Sequence, residues 1–301
     1  MALEKTNAIV LRVIDYSETS CIVTMMTRDH GKITAMAKGA RRPKSPFEAA
    51  LDVLSVCRIV FIKKRSGAMD LLTEARLERR FRAGVSSLER LYAGYYVAEL
   101  LNLLTDEADP HPELFDIAVE AIDEIDAVKT KTKNTSSIDE TLLDFELMAL
   151  FCLGHLPLLT QCVGCGKEKT TLSRVSFGMN SGGILCQRCR PGKRNVISLS
   201  PTGFAFLLDR TRQKKDLSHQ VSNHPSADSV REQMTTFYNN RPESSSAVGS
   251  SQTASDPISV EDPIPEVRSL LRNYISHLIG YQPRLQKFLN NSGRRTATSK
   301  I

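Results

Sequence analysis

Ala8-Ile-Val-Leu-Arg-Val-Ile14, Cys21-Ile-Val-Thr-Met-Met-Thr27 and Ile33-Thr-Ala-Met-Ala37 follow one another at the start of the chain, and their reading decides the fold. Each is a short run of Val, Ile, Leu and Met of strand length. Asp15-Tyr-Ser-Glu18 and Arg28-Asp-His-Gly31 supply turn residues between them. Two further runs, 53–62 and 71–77, are set off by the stretch 39–46 and by Ser66-Gly67. Five short strands in the first 80 residues fit a small closed barrel, with the oligonucleotide-binding (OB) barrel as the natural candidate. On pattern alone, a five-stranded open sheet is the alternative.

After Arg79 the period changes to that of helices. Leu88, Leu91, Tyr92, Tyr95, Tyr96, Leu100, Leu103 and Leu104 recur at helical spacing, as do Leu114, Ile117, Ala118, Ala121, Ile122 and Ile125. Leu142, Phe145, Leu147, Met148, Phe151 and Leu153 form a third set. Asp109-Pro-His-Pro112 separates the first two helices, and 129–137 the last two. An acidic bundle results, with its aromatics in the core and its carboxylates on a solvated face. Farther on, Ser200-Pro201 gives an N-cap and a proline at the first helical position. The polar stretch 213–228 reads as loop, the Ser/Pro-rich stretch 241–265 as a disordered or mobile linker, and 266–279 as a last amphipathic helix. The expected class is α+β: a barrel domain over 1–80, then an all-helical domain over 81–301 that carries an inserted four-cysteine zinc module over 162–189.

That module rests on four of the seven cysteines, Cys162-x-x-Cys165 and Cys186-x-x-Cys189. Two thiolates three positions apart can share one metal from a single tight turn, and two such turns complete a tetrahedral shell. Gly164 and Gly166 suit such a turn, and glycines at 178, 182 and 183 suggest a hairpin between the pairs. Four protein ligands leave no position for water, so the expected zinc is structural; free thiols and an iron–sulfur cluster are the alternatives. His155 is an outside ligand candidate and is read as a helix-end histidine. Cys21, Cys57 and Cys152 stand in apolar surroundings and are read as small core residues.

The chain of 301 residues is 41% hydrophobic and 25% charged, which excludes collagen-like, fully disordered and membrane classes. No apolar run is long enough to span a bilayer (the stretch 97–104 is short and interrupted by Glu99 and Asn102), and the N-terminus lacks a secretory h-region, so an intracellular protein is expected. The net charge of +6 is unevenly distributed. Residues 1–80 carry 15 Lys and Arg against 9 Asp and Glu, 81–161 carry 5 against 15, and 162–301 carry 20 against 10. Two basic ends around an acidic middle point to polyanion-binding surfaces. Densest is Lys38-Gly-Ala-Arg41-Arg42-Pro-Lys44-Ser45, a phosphate-binding loop between two strands. Lys63, Lys64, Arg65, Arg76, Arg79 and Arg80 add to the same domain, whose only aromatics are Tyr16, Phe47 and Phe61. Binding there leans on phosphates and is salt-sensitive. A Walker A loop, Gly-x-Ser-x-Gly, His-Glu-x-x-His and a dinucleotide fingerprint are all missing, so no enzyme is expected.

A small barrel carrying that basic loop, a helical region with Phe145-Glu-Leu147 and Leu153-Gly-His-Leu-Pro-Leu-Leu159, Cys162-x-x-Cys165-Gly166, and the ending Tyr274-Ile-Ser-His-Leu-Ile-Gly-Tyr-Gln-Pro-Arg-Leu285 resemble the bacterial recombination mediator family RecO. The resemblance spans 1–210 and 264–290, and the Ser-rich stretch 241–265 departs from it. It implies a non-enzymatic, cytoplasmic, nucleoid-associated protein of DNA repair and recombination. Such a protein binds single- and double-stranded DNA and anneals complementary strands. With RecR it helps load RecA onto strands coated by single-stranded DNA-binding protein (SSB), whose acidic C-terminal tail it also binds. The family's DNA-contacting loop maps onto Lys38, Arg41, Arg42 and Lys44. Arg188, Arg190, Lys193 and Arg194 of the zinc module would face either DNA or an acidic tail. Competing readings are a zinc-ribbon, sequence-selective DNA- or RNA-binding regulator, an enzyme with a zinc insert, and a scaffold.

Overall fold

The computed structural model describes residues 2–43, 45, 47, 50–64, 68–85, 87–127, 137–169, 174–221 and 262–289. Strands β1 (Ala2–Asp15), β2 (Cys21–Thr27), β3 (Gly31–Ala37), β4 (Val56–Lys63) and β5 (Asp70–Arg79) close into a barrel in the order β1-β2-β3-β5-β4. The long β1 makes closure possible by pairing antiparallel with both β2 and β4. Its register shifts between Val10 and Arg12, where the Val10 N–H donates to Ser55 O (3.0 Å) and the Leu54 N–H to Val10 O (2.8 Å). Such a bulge bends the strand. A short parallel pairing, Ala35↔Asp70 to Ala37↔Leu72, shuts the remaining gap between β3 and β5.

The two faces of β1 are buried against different things. Ala8 and Val10 join Val23, Met25, Ile59 and Phe61 inside the barrel, whereas Ile9 and Leu11 pack with Met26, Leu54 and Val56 into the helical core. This is why the run 8–11 is continuously apolar rather than alternating. Cys21 and Cys57 lie in the barrel interior, as read from their surroundings. The Cys57 thiol donates to Ala50 O (3.0 Å), and burial pushes its pKa up to about 12. Half-buried Cys152 packs on the helical core and is likewise pushed up to about 12 by burial.

Helices α1 (Leu88–Leu104), α2 (Pro112–Asp126) and α3 (Ile138–Cys152) follow. Pro112 opens α2, and Ser137 with Glu140 forms a capping box on α3. The remainder is not all helical. β6 (Val175–Gly178) and β7 (Gly183–Leu185) form the expected hairpin, and β8 (Val196–Leu199) adds a third strand beside β6. Helix α4 (Pro201–Val221) continues past 213, where a loop was expected; Gln213, Lys214 and Lys215 are polar but are good helix formers. Helix α5 (Pro263–Ile279) starts inside the stretch expected to be linker, with Asp262 accepting from the Ile264 N–H (3.1 Å) as N-cap. The rest of that stretch, 241–261, lies outside the described residues. A single turn, α6 (Gln286–Leu289), follows.

Charge joins the barrel to the bundle. Arg28 grips Asp116 of α2 through two hydrogen bonds of 3.0 and 2.9 Å. Lys32 donates to Asn102 O (2.7 Å) and Thr105 O (2.6 Å), capping the C-terminus of α1, and Arg79 pairs with Asp123. Part of the basic surplus of the barrel is therefore consumed against the acidic middle. Gly31 sits at this seam with φ +71°, and a Cβ there would lie 2.3 Å from Asp109 O. Gly31→Ala is expected to cost about 1–3 kcal/mol from the backbone conformation alone, with more from the displaced chain. Urea denaturation measures it, and an unchanged midpoint would show that the seam yields freely.

Two of the four carboxylates of α3 leave the solvated face. Asp144 is 7% exposed and Glu146 0%, because arginines from later in the chain draw them inward. Arg210 of α4 pairs with Glu140 and Asp144, both at 3.4 Å. Arg268 of α5, itself 1% exposed, pairs with Asp139 and, at 3.5 Å, with Glu146, which also accepts from the Tyr96 hydroxyl at 3.0 Å.

Candidate nucleic-acid interface and metal centre

Cys162, Cys165, Cys186 and Cys189 come together with their sulfurs all within 4.8 Å of one another. Cys165 Sγ and Cys186 Sγ are 3.7 Å apart, against about 3.8 Å for the edge of a tetrahedron with a metal–sulfur bond of about 2.3 Å. Two tight turns build the cluster. In the first, the Gly166 N–H donates to Cys162 O (2.9 Å) and Gly166 takes φ +70°. In the second, the Cys189 and Arg190 N–H groups donate to Cys186 O (3.1 and 3.0 Å). The turns interlock at Gly164, where a Cβ would lie 3.0 Å from Cys189 Sγ.

Backbone N–H groups hold two of the four thiols, Cys162 and Cys186, toward the thiolate form. Burial raises the Cys162 thiol, but N–H groups of Cys186, Gly164 and Cys165 outweigh this and hold it down to about 6. The Gly164 and Cys186 amides reach its sulfur at 3.4 and 3.3 Å. Cys186 is also lowered, chiefly by the Cys189 N–H. Cys189, donating to the sulfurs of Cys186 and Cys165, is pushed up to about 12. Four sulfurs in so small a space fit a soft divalent ion, whose shell four thiolates would complete. His155 is not part of the cluster; its N–H donates to Leu150 O (2.7 Å) at the end of α3.

The sequence-predicted basic loop leaves β3 at one end of the barrel. Lys38 and Arg42 are exposed and make no ion pair among the described residues. Arg41 is different: its guanidinium pairs with Asp15 (3.0 Å) and reaches Ser17 O (3.5 Å), and its N–H donates to Thr19 O (3.0 Å). It ties the loop to the β1–β2 turn. Lys44 and Arg65 lie outside the described residues. Between loop and turn is a cavity of about 440 Å³, lined by Val13, Asp15, Arg41, Arg42 and Phe47 among others. Phe47 and Phe61 are buried, whereas Tyr16, in the turn that Arg41 grips, is 62% exposed. The sequence showed Tyr16 as one of three aromatics but not that its turn is tied to the basic loop through Arg41. An exposed ring on a turn tied to a basic loop can stack a base while the loop's cations hold its phosphates.

Comparison with known proteins identifies the family. Residues 1–81 match the family model described as Recombination protein O N terminal, and 85–228 the one described as Recombination protein O C terminal. A DNA repair protein RecO of Rhodopirellula baltica is 40% identical over 283 residues, 94% of this chain and 97% of that protein. Its counterpart in Anaeromyxobacter dehalogenans is 33% identical over 238 residues, 77% of this chain and 89% of the relative. Another, in Salinibacter ruber, is 38% identical over 133 residues, 44% of this chain and 51% of its own length. With both halves of the family matched in order, and with a relative of this identity aligned along nearly the whole chain, the protein belongs to the RecO family.

Proposed function

We propose that the chain is a non-enzymatic DNA repair and recombination mediator whose first 80 residues form an OB-type DNA-binding domain and whose remainder, 81–301, is a helical domain holding a structural zinc ion. The observation that carries this reading is that exposed Lys38 and Arg42 lie on a loop at one end of a closed barrel, which Arg41 ties to the turn bearing exposed Tyr16, in a chain of the RecO family. Lys38, Arg41, Arg42 and Lys44 neutralise phosphates on single- and double-stranded DNA. Reduced repulsion between two strands lets complementary sequences anneal without ATP. Together with RecR, the protein helps load RecA onto SSB-coated strands and engages the acidic C-terminal tail of SSB. Such a protein acts in the cytoplasm at the nucleoid; no helix among the described residues is long and apolar enough to cross a membrane. Cys162, Cys165, Cys186 and Cys189 would hold the zinc, which when bound supplies a fixed tetrahedral junction between two turns.

Annealing of two complementary fluorescent oligonucleotides pre-coated with cognate SSB tests this. Acceleration that fades with salt is expected. Tight binding to one sequence without acceleration would transfer the chain to the zinc-ribbon regulators. Arg41→Ala with Arg42→Ala should weaken DNA binding and flatten the log K against log salt plot by about one to two units; an unchanged slope removes these residues from the interface. Tyr16→Ala should cost about 1–3 kcal/mol on a single strand and little on a duplex.

A further inference from the structure

A dense basic surplus outside the barrel surrounds the cysteine cluster. Between 162 and 199 the chain carries Lys167, Lys169, Arg174, Arg188, Arg190, Lys193 and Arg194 against a single acid, Glu168. Lys167, Arg174, Arg188, Arg190, Lys193 and Arg194 are all exposed, and none makes an ion pair among the described residues. Four thiolates around a divalent cation carry a net charge of −2, which offsets part of this surplus. A balance of +4 remains on a unit of 38 residues.

The module is oriented. Its sheet side is fixed to the helical core: Phe177 meets Tyr274 of α5 edge-on at 5.5 Å, and the Tyr274 hydroxyl donates to His155 O (3.1 Å). The opposite end carries the two cysteine turns. Gly164, Cys165, Gly166, Gln187, Arg188 and Arg190 are exposed there. Because the four sulfurs converge, Lys167 of the first turn is brought to the same end as Arg188 and Arg190 of the second, although twenty residues separate them. Pro191, Gly192 at φ +75° and Asn195 at φ +56° then turn the chain so that Lys193 and Arg194 follow on a tight, exposed loop.

What this end lacks identifies its ligand. The module's one aromatic, Phe177, is 0% exposed, and from 162 to 199 no large apolar side chain is exposed among the described residues. An acidic peptide anchored by apolar side chains would need a pocket, and bases would need a ring to stack on. Fixed cations without either suit a repeating phosphate chain. We propose that the cysteine-clamped end of the module, through Arg188, Arg190, Lys193 and Arg194, is a second nucleic-acid surface that grips sugar–phosphate backbone independently of sequence and of stacking. This rests on the DNA-binding reading of the barrel and extends it: one chain holds two backbone segments, one at each basic end.

The test uses the full-length, zinc-loaded chain and a labelled 30-base-pair duplex of mixed sequence, with binding followed by anisotropy from about 50 to 300 mM salt. Wild type is compared with R188A/R190A/K193A/R194A and with R41A/R42A. Equal metal content and melting temperature establish that the quadruple variant folds. Weakening of tenfold or more near 100 mM salt and a log–log slope shallower by about two to four are expected, at about 0.9 per phosphate released. Poly-dT of equal length should lose affinity in parallel. If R41A/R42A weakens binding while the quadruple variant matches wild type, the second surface is wrong and the barrel reading stands. Should wild type bind neither DNA, both fail. If the quadruple variant keeps its DNA affinity but loses binding to an Asp/Glu-rich peptide, the surface belongs to an acidic protein partner and the proposal is overturned.

Discussion

Stripping the metal with a chelator is expected to unfold the module between α3 and α4 and to lower the melting temperature of the helical region by about 10 °C or more. The reason lies at the module's cysteine end, since Val175, Phe177, Ile184 and Leu199 of the strands are anchored in the helical core but the cysteine turns are not part of it. Those three strands are 4, 3 and 4 residues long, too short to persist without a staple. The two cysteine turns meet through one backbone bond, from the Val163 N–H to Ile184 O (3.0 Å), and through sulfur: the Cys186 N–H reaches Cys162 Sγ at 3.3 Å, and Cys165 and Cys186 stand 3.7 Å apart. Structural zinc in small peptides contributes on the order of 10 kcal/mol of apparent folding free energy. A loss of even a few kcal/mol moves the midpoint by about 2–4 °C per kcal/mol in a region of this size. The barrel interior includes no residue of the module, so its transition should stay in place. Calorimetry beside metal analysis decides the matter: one zinc per chain before chelation, none after, and two transitions drawn apart. A chain free of metal with an unshifted upper transition would show the cluster to be four ordinary thiols. Cys186→Ser should reproduce the chelated state without any chelator.

How far the sequence could be read follows from the range of the forces involved. The strands of the barrel were legible because runs such as 21–27 and 33–37 are set by local alternation and flanked by turn residues. Closure was not, since it depends on the bulge in β1 and on three parallel pairs between β3 and β5. The cysteine tetrad was legible because each half is a local motif whose chemistry needs no tertiary context. Charge was the hardest to interpret. Lys38, Arg41 and Arg42 look alike in sequence, yet Arg41 turns back to Asp15 while its neighbours make no ion pair among the described residues. Arg28 and Arg79 counted toward a basic surface and proved to be the means by which the barrel docks on Asp116 and Asp123. A charged residue reveals its role only through its partner, and Asp116 is 88 residues away from Arg28.

That dependence on distant partners is greatest at Arg268, and Arg268→Ala is expected to destabilise the helical region by about 3–5 kcal/mol at neutral pH. Glu146 is fully buried, and its Oε2 has no hydrogen-bond partner among the described residues. What compensates its charge is Arg268 at 3.5 Å, the Tyr96 hydroxyl at 3.0 Å and the field of Arg272. Removing Arg268 strands a carboxylate in an apolar core and also releases Asp139, the acid at the start of α3. Burial already raises the Glu146 carboxyl above its ordinary value, with the arginines pulling it back. Because the folded value lies above the unfolded one, this group's contribution is fully present below the ordinary carboxylate range and is lost as pH rises through the folded value. Two consequences can be read by urea denaturation between about pH 4.5 and 7. Glu146→Gln, which imitates the protonated acid, should gain on wild type as pH rises. The Arg268→Ala penalty should shrink as pH falls, because the stranded carboxyl can then take up a proton. A penalty independent of pH would mean that the variant loses packing rather than charge compensation. Combining the two substitutions separates these causes: the double variant should be less destabilised than Arg268→Ala alone, since the charge that made the loss costly is gone.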